Sequence, residues 1–171
     1  MIVQKENKVL RENAGNVADI DTAEVKTVIK KMAEAMFKEP DGIGIAAPQI
    51  GESLRIFLVA GEVVSSTSEE LRQKEKMDDQ IYLTFINPVF KKVSAKKNKD
   101  VEGCLSVRGI YGEVTRPEKV TIEYFDEHGK KHSRGASGLF ARVLQHEMDH
   151  LEGTLFIDKA KNIHKIKAEM P

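Results

Sequence analysis

SGLFARVLQHEMDHLEG, residues 137–153, reads as one amphipathic helix followed by its stop signal. Leu139, Phe140, Val143, Leu144, Glu147, His150 and Leu151 recur at helical spacing and mark an inward side. Ser137 is placed to cap the start and Gly153 to end the helix. His146 and His150 stand four residues apart, so a helix puts both imidazoles on one face, within reach of one ion. Glu147 follows the first of them. This His-Glu-x-x-His spacing is the arrangement of metal hydrolases: the ion lowers the pKa of a water toward about 7, and the carboxylate takes its proton. The plain alternative is a helix with two surface histidines. Their place on the apolar side argues against it.

Outward from that helix, the chain alternates short β-prone runs with turns. Leu54-Arg55-Ile56-Phe57-Leu58-Val59 reads as a strand, and Ile81 to Phe90 as another, broken by Asn87-Pro88. Val120 to Phe125 alternates like a half-buried strand, and Asp126-Glu127-His128-Gly129 turns it into residues 130–134. A second helix is expected at about 21–38, with Asp21 as N-cap and Glu24 completing a capping box. Its stripe of Val25, Val28, Ile29, Met32 and Met36 reads as core, and Pro40-Asp41-Gly42 stops it. Residues 1–20 look like an extended arm. Residues 61–80 look like a polar surface insertion, with a short helix at 68–76. Strands in the middle and helices near the ends give α+β: antiparallel or mixed sheets packed around a central helix carrying the two histidines, with an N-terminal helix.

A site of this kind needs a third protein ligand. Downstream, Glu152, Asp158, His164 and Glu169 are available, and a metallopeptidase would use one of them. Upstream stands Cys104, the single cysteine, in Glu102-Gly103-Cys104-Leu105-Ser106. A thiolate suits zinc or ferrous iron, and Gly103 allows close approach of the chain. A lone cysteine is equally often a small buried hydrophobe. Gly42-Ile43-Gly44-Ile45-Ala46-Ala47-Pro48-Gln49 contains Gly-x-Gly-x-x-Ala, but it follows a helix and carries Pro48, which excludes a dinucleotide loop. It reads as extended backbone with small side chains, an edge where a peptide can add as a strand, ending in the amide of Gln49.

Taken in order, Gly42–Gln49, Glu102–Ser106 and His146–His150 resemble the three motifs of the peptide deformylase family. Weaker similarity at Val9-Leu10-Arg11, Ile86-Asn87-Pro88, Arg116-Pro117 and Leu151-Glu152-Gly153 extends it over nearly the whole chain. The resemblance implies one catalytic domain over residues 1–171. It implies an enzyme that removes the formyl group from the N-terminal formyl-methionine of nascent peptides. Cys104, His146 and His150 would then hold the metal, ferrous iron in the family, with zinc, nickel or cobalt able to substitute. Hydroxide at that metal would attack the formyl carbon, with Glu147 as general base and then acid. Gln49 and the Leu105 backbone N–H would meet the oxyanion, and Ile43, Gly44, Gly103 and Leu139 would bind the peptide. Two positions depart from the family's usual pattern: Arg108 stands where Pro is frequent, and Tyr111 where some members have Arg.

Composition bounds these expectations. There are 171 residues, 40% hydrophobic with no Trp, so the core should be mostly aliphatic. Basic and acidic residues balance at 27 each, which speaks against wholesale DNA binding. Lys159, Lys161, Lys165 and Lys167 read as a solvated tail, offering at most a weak ribosome contact. Met1 to Glu6 lacks the pattern of a signal peptide, and no run approaches the about 18 apolar residues of a membrane span. A single cysteine fits a reducing cytoplasm. A monomer is expected. A non-enzymatic binder of N-terminal peptides is the remaining alternative.

Overall fold

The computed structural model describes residues 1–64 and 80–166. The helix expected at 68–76 and the end of the basic tail lie outside them. Two α-helices and eight strands are present among the described residues: α1 (Ala23–Phe37), β1 (Gly44–Ala46), β2 (Ile56–Ala60), β3 (Tyr82–Val93), β4 (Lys97–Glu102), β5 (Ile110–Pro117), β6 (Lys119–Phe125), β7 (Lys131–Ser137), α2 (Gly138–Leu151) and β8 (Lys161–Lys165). The fold is α+β. β1-β2-β3-β6-β7 form one sheet and β4-β5-β8 a second. Every pair within these sheets is antiparallel.

Both faces of the five-stranded sheet are covered near β1 and β2. Alternation sends Phe57 and Val59 toward α2, and Ile56, Leu58 and Ala60 toward α1. This explains why β2 reads as a continuous apolar run: a strand covered on both sides has no polar face. On the α1 side, Met32 and Met36 pack with Ile45, Ile56 and Leu58. On the α2 side, Phe140, Leu144, Met148 and Leu151 pack with Phe57, Phe85, Ile122 and Tyr124. The core is largely aliphatic, but its few aromatics are gathered: Phe85 lies 4.7 Å from Phe57 and 4.2 Å from Tyr124 between ring centroids.

Several local expectations change. β3 runs through Asn87-Pro88, where it bulges: the register with β6 shifts between Ile86 and Val89, and Asn87 takes φ 48°. The Asn87 amide donates to the Val17 carbonyl and accepts from the Val17 N–H, both at 2.9 Å, which ties the N-terminal arm to the sheet. That arm contains a 3-10 turn at Lys8–Arg11. The cap of α1 is Thr22, whose hydroxyl accepts from the Val25 N–H at 3.2 Å. Asp21 instead pairs with Lys26 on the surface. Ser137 occupies the N-cap position of α2 without a side-chain hydrogen bond to it. Among the described residues, no helix is long and apolar enough to cross a membrane.

Thr22→Ala should therefore destabilise the protein by about 1 kcal/mol in urea denaturation, the usual loss for a cap. Asp21→Ala, which removes an exposed pair, should leave the midpoint nearly unchanged.

Candidate active site

Three segments meet where α2 passes between the two sheets. β1 lies so close to α2 that a Cβ on Gly44 would stand 2.6 Å from Glu147 Oε1 and 3.0 Å from Val143 Cγ1. Glycine is required there by space, at an ordinary φ. β1 is also the edge of its sheet. The Ala60 N–H donates to the Ile43 carbonyl at 2.9 Å, which makes Ile43 and Ala60 a hydrogen-bonded pair. Antiparallel alternation then turns the N–H and C=O of Gly44 outward, toward the open edge. Ala46 also faces outward, but its N–H donates to Gln49 Oε1 at 2.8 Å.

That bond fixes which way the Gln49 amide points. With Oε1 accepting from backbone, the NH2 end faces the second segment, donating to Ser106 Oγ at 3.2 Å and approaching Cys104 Sγ at 3.6 Å. Cys104 follows directly on β4, across from α2. Its sulfur lies 3.2 Å from His150 Nε2. One ligand atom each from Cys104, His146 and His150 falls within 4.8 Å of the others. Of the downstream candidates, Asp158 is paired with Arg11 and His164 stacks on Tyr111, away from this cluster. Glu152 caps the C-terminal end of α2, and Glu169 lies outside the described residues.

The electrostatics suit a cation. His146 Nδ1 meets Glu102 Oε2 at 3.0 Å, so the ring turns its Nε2 toward the cluster. Burial lowers the proton affinity of His146, but its bonds to Cys104 and Glu102 outweigh this and hold it well above the usual imidazole range. The donor set thus attracts positive charge. Burial, with the nearby charge of His146 and Arg116, holds His150 well below that range, in the neutral form that ligates. Soft sulfur with two imidazoles is a set for zinc or ferrous iron, and these residues fit such an ion. Glu147 is 4% exposed, and its Oε2 has no hydrogen-bond partner among the described residues. Burial pushes its carboxyl up to about 7, with the charge of His146 acting against it.

A cavity of about 200 Å³ opens on this group. Ile43, Gly44, Gln49, Cys104, His146 and Glu147 line it, with Leu139 and Val143 from α2. Leu139 does not point into the core as its spacing suggested. It is 56% exposed and stands at the cavity rim. Gly103 makes room for a ring rather than for a passing chain: a Cβ there would lie 2.7 Å from Tyr111 Cε1.

What the sequence reading missed is the buried charge behind the site. Glu102 accepts from Arg116 Nε at 2.6 Å and Nη2 at 2.9 Å, and from Arg142 Nη1 at 2.7 Å. Arg116 also donates to Asp149 at 3.0 Å, and Lys159 reaches the other oxygen of Asp149 at 2.6 Å. Lys159 is therefore part of a network and not a free element of the tail. Burial raises the proton affinity of Glu102, yet the bonds from Arg116 and His146 hold it well below the usual carboxylate range. Arg142 offered one signal. It stands three residues after Leu139 and four before His146, on the ligand face.

A cysteine facing a His-Glu-x-x-His helix across a cavity bordered by a sheet edge defines the class of protein as a hydrolase. Comparison with known proteins gives the family. A sequence model described as polypeptide deformylase matches residues 1–166. A peptide deformylase of Pelotomaculum thermopropionicum is 40% identical over 165 residues, 96% of this chain and 94% of that protein. Crystals of peptide deformylase from Plasmodium falciparum give a TM-score of 0.80 at 38% identity, covering 95% of this chain and 87% of that one. The Thermotoga maritima peptide deformylase gives 0.79 at 31% identity, covering 94% and 97%. The chain belongs to the polypeptide deformylase family, a family of metalloenzymes.

Arg116→Met should leave buried Glu102 with only Arg142 and His146, and buried Asp149 with only Lys159. The expected loss is about 3–5 kcal/mol in urea unfolding of the metal-free protein, the scale for breaking one side of a buried pair. A loss within the range of exposed pairs would show that water reaches the network.

Proposed function

We propose that the chain hydrolyses the N-terminal formyl-methionyl group of newly made polypeptides, taking up water and releasing formate and the free amine. The observation that carries this reading is one small cavity lined by Glu147, a buried carboxylate with Oε2 unpartnered, by the oriented amide of Gln49, and by Cys104 and His146 of a Cys-His-His set. A divalent cation on Cys104, His146 and His150 supplies Lewis acidity, acidifying water and polarising the formyl oxygen. Ferrous iron is the resident ion in this reading, and zinc, nickel or cobalt can replace it.

The chain's own groups do the rest. Glu147 accepts the proton of the attacking water and passes it to the departing nitrogen, a task suited to a carboxyl held near neutrality. The Gln49 NH2 and the Leu105 N–H donate to the formyl oxygen as negative charge grows on it. One such donor contributes about 3 kcal/mol to the transition state. The outward N–H and C=O of Gly44 pair with the peptide as an added strand. Ile43 and Leu139 flank the methionine side chain, and Gly103 holds the opposite wall through Tyr111. Formyl is the smallest acyl group, so a site closely fitted around the reacting carbon would admit its hydrogen and refuse a methyl. The enzyme works as a monomer in the reducing cytoplasm, with at most a weak ribosome contact through Lys161 and Lys165.

Protein purified without oxygen and loaded with iron should release formate from formyl-Met-Ala-Ser, measured with a coupled formate assay. No formate from metal-replete protein would overturn the reading. Glu147→Ala should keep its metal by elemental analysis while turnover falls by several orders of magnitude. Full turnover in that variant would remove Glu147 from the proton transfer.

A further inference from the structure

The arm at residues 3–14 touches all three segments that build the site. At its far end, Asn13 bridges to Glu152, and the Ala14 N–H donates to the Leu151 carbonyl at 2.9 Å, both at the end of α2. In between, Arg11 lies so close to Gly153 that a Cβ there would stand 2.7 Å from the Arg11 carbonyl. At its near end, the Val3 N–H donates to the Gln49 carbonyl at 2.9 Å. The next residue, Gln4, sends its side-chain Nε2 to the Leu105 carbonyl at 3.2 Å. Two consecutive residues thus hold the backbone of the two residues read above as oxyanion donors. The two donors come from separate segments, one from the turn after β1 and the other from the loop after β4. Gln49 bonds Cys104 and Ser106 of the loop through its side chain, while its backbone carbonyl, in the 3-10 turn Ala47–Ile50, takes the Val3 N–H.

We infer that Gln4 is a positioning residue: with the Val3 N–H, it fixes the spacing between the Gln49 amide and the Leu105 N–H. The inference rests on the oxyanion roles proposed for those two groups. Donors aimed at a developing charge act only when they are held in place beforehand. A shift of about 1 Å in such a group costs up to about 100-fold in rate, so a loosened donor should cost about 10-fold.

Gln4→Met keeps the length of the side chain and removes the N–H donor. Val3→Pro removes the N–H to Gln49. Each should lower kcat for formyl-Met-Ala-Ser about 10-fold. KM, bound iron and the affinity for the product Met-Ala-Ser, which has no formyl oxygen, should stay unchanged. Gln49→Ala is measured alongside. If Gln49→Ala loses turnover and Gln4→Met does not, the positioning role is wrong and the oxyanion reading stands. If Gln49→Ala keeps full kcat, the oxyanion reading fails and takes the inference with it. A fall in iron content or thermal midpoint that parallels the fall in kcat would make Gln4 a staple of the fold and overturn the positioning role. Should Val3→Pro not fold, Gln4→Met alone decides.

Discussion

Glu102 ends β4 and accepts hydrogen bonds from three side chains: Arg116 on β5, and Arg142 and His146 on α2. It therefore joins the small sheet to the metal-ligand helix through one carboxylate. Burial alone would neutralise such a group, and a buried ion pair often contributes little net stability, because desolvation offsets attraction. Arg116 and His146 keep it charged, and Arg142 donates a further hydrogen bond. Arg142 is anchored in turn to the Val114 carbonyl and to Asn98, so it cannot swing away. The result is a fixed acceptor for His146 Nδ1. A ligand ring free to rotate would present either nitrogen; this one presents Nε2. Asp149 and Lys159 extend the same logic along α2, holding Arg116 from its other side.

The close approach of β1 to α2 is the second constraint. At Gly44 the strand touches Glu147 and Val143, so the sheet edge and the Glu147 carboxyl share one wall. This geometry follows from ordinary packing. β2 is covered on both faces, and that fixes β1 beside it with Ile45 under α1 and Ala46 under α2. Once register places Gly44 against Val59, its peptide groups must face the open edge. The edge proposed to receive the peptide is thus supplied by the sheet itself.

Much of this was legible in the sequence because it depends on period. The apolar stripes of α1 and α2, the alternation of β6 and the four-residue spacing of the histidines are local and repeat. Spacing alone left Cys104, Asp158 and His164 open, since the grouping depends on where a distant loop lands; the family resemblance is what singled out Cys104, which the structure places beside the two histidines. The cap of α1 was misplaced for a different reason. Thr22 and Asp21 are both good caps, and one residue of difference in where the helix starts decides between them. Leu139 was placed in the core because spacing gives a face but not where that face leaves the protein. The Glu102 network escaped because a charged residue in a strand or a helix reads as solvated until its partners are known. The family resemblance supplied the roles of Gln49 and Leu105, but not the bond from Ala46 that turns the Gln49 amide.

Glu147 shows why the site is arranged at a cost to the fold. A buried carboxylate with one oxygen unpartnered is normally selected against, because its desolvation has no compensation. Nearby donors were available: Gln49 gives its NH2 to Ser106, and Arg142 and Arg116 both turn to Glu102. None of these three donors bonds Glu147 Oε2. Had one been turned toward it, its proton affinity would have fallen and it would have been a spectator anion. With Oε2 left without a partner, burial holds the carboxyl at about 7, which suits the acid/base role proposed for it. The same network that fixes His146 therefore also directs the hydrogen bonds of Arg116 and Arg142 to Glu102, so that Arg116 acts on Glu147 through its charge while burial still raises the carboxyl to about 7.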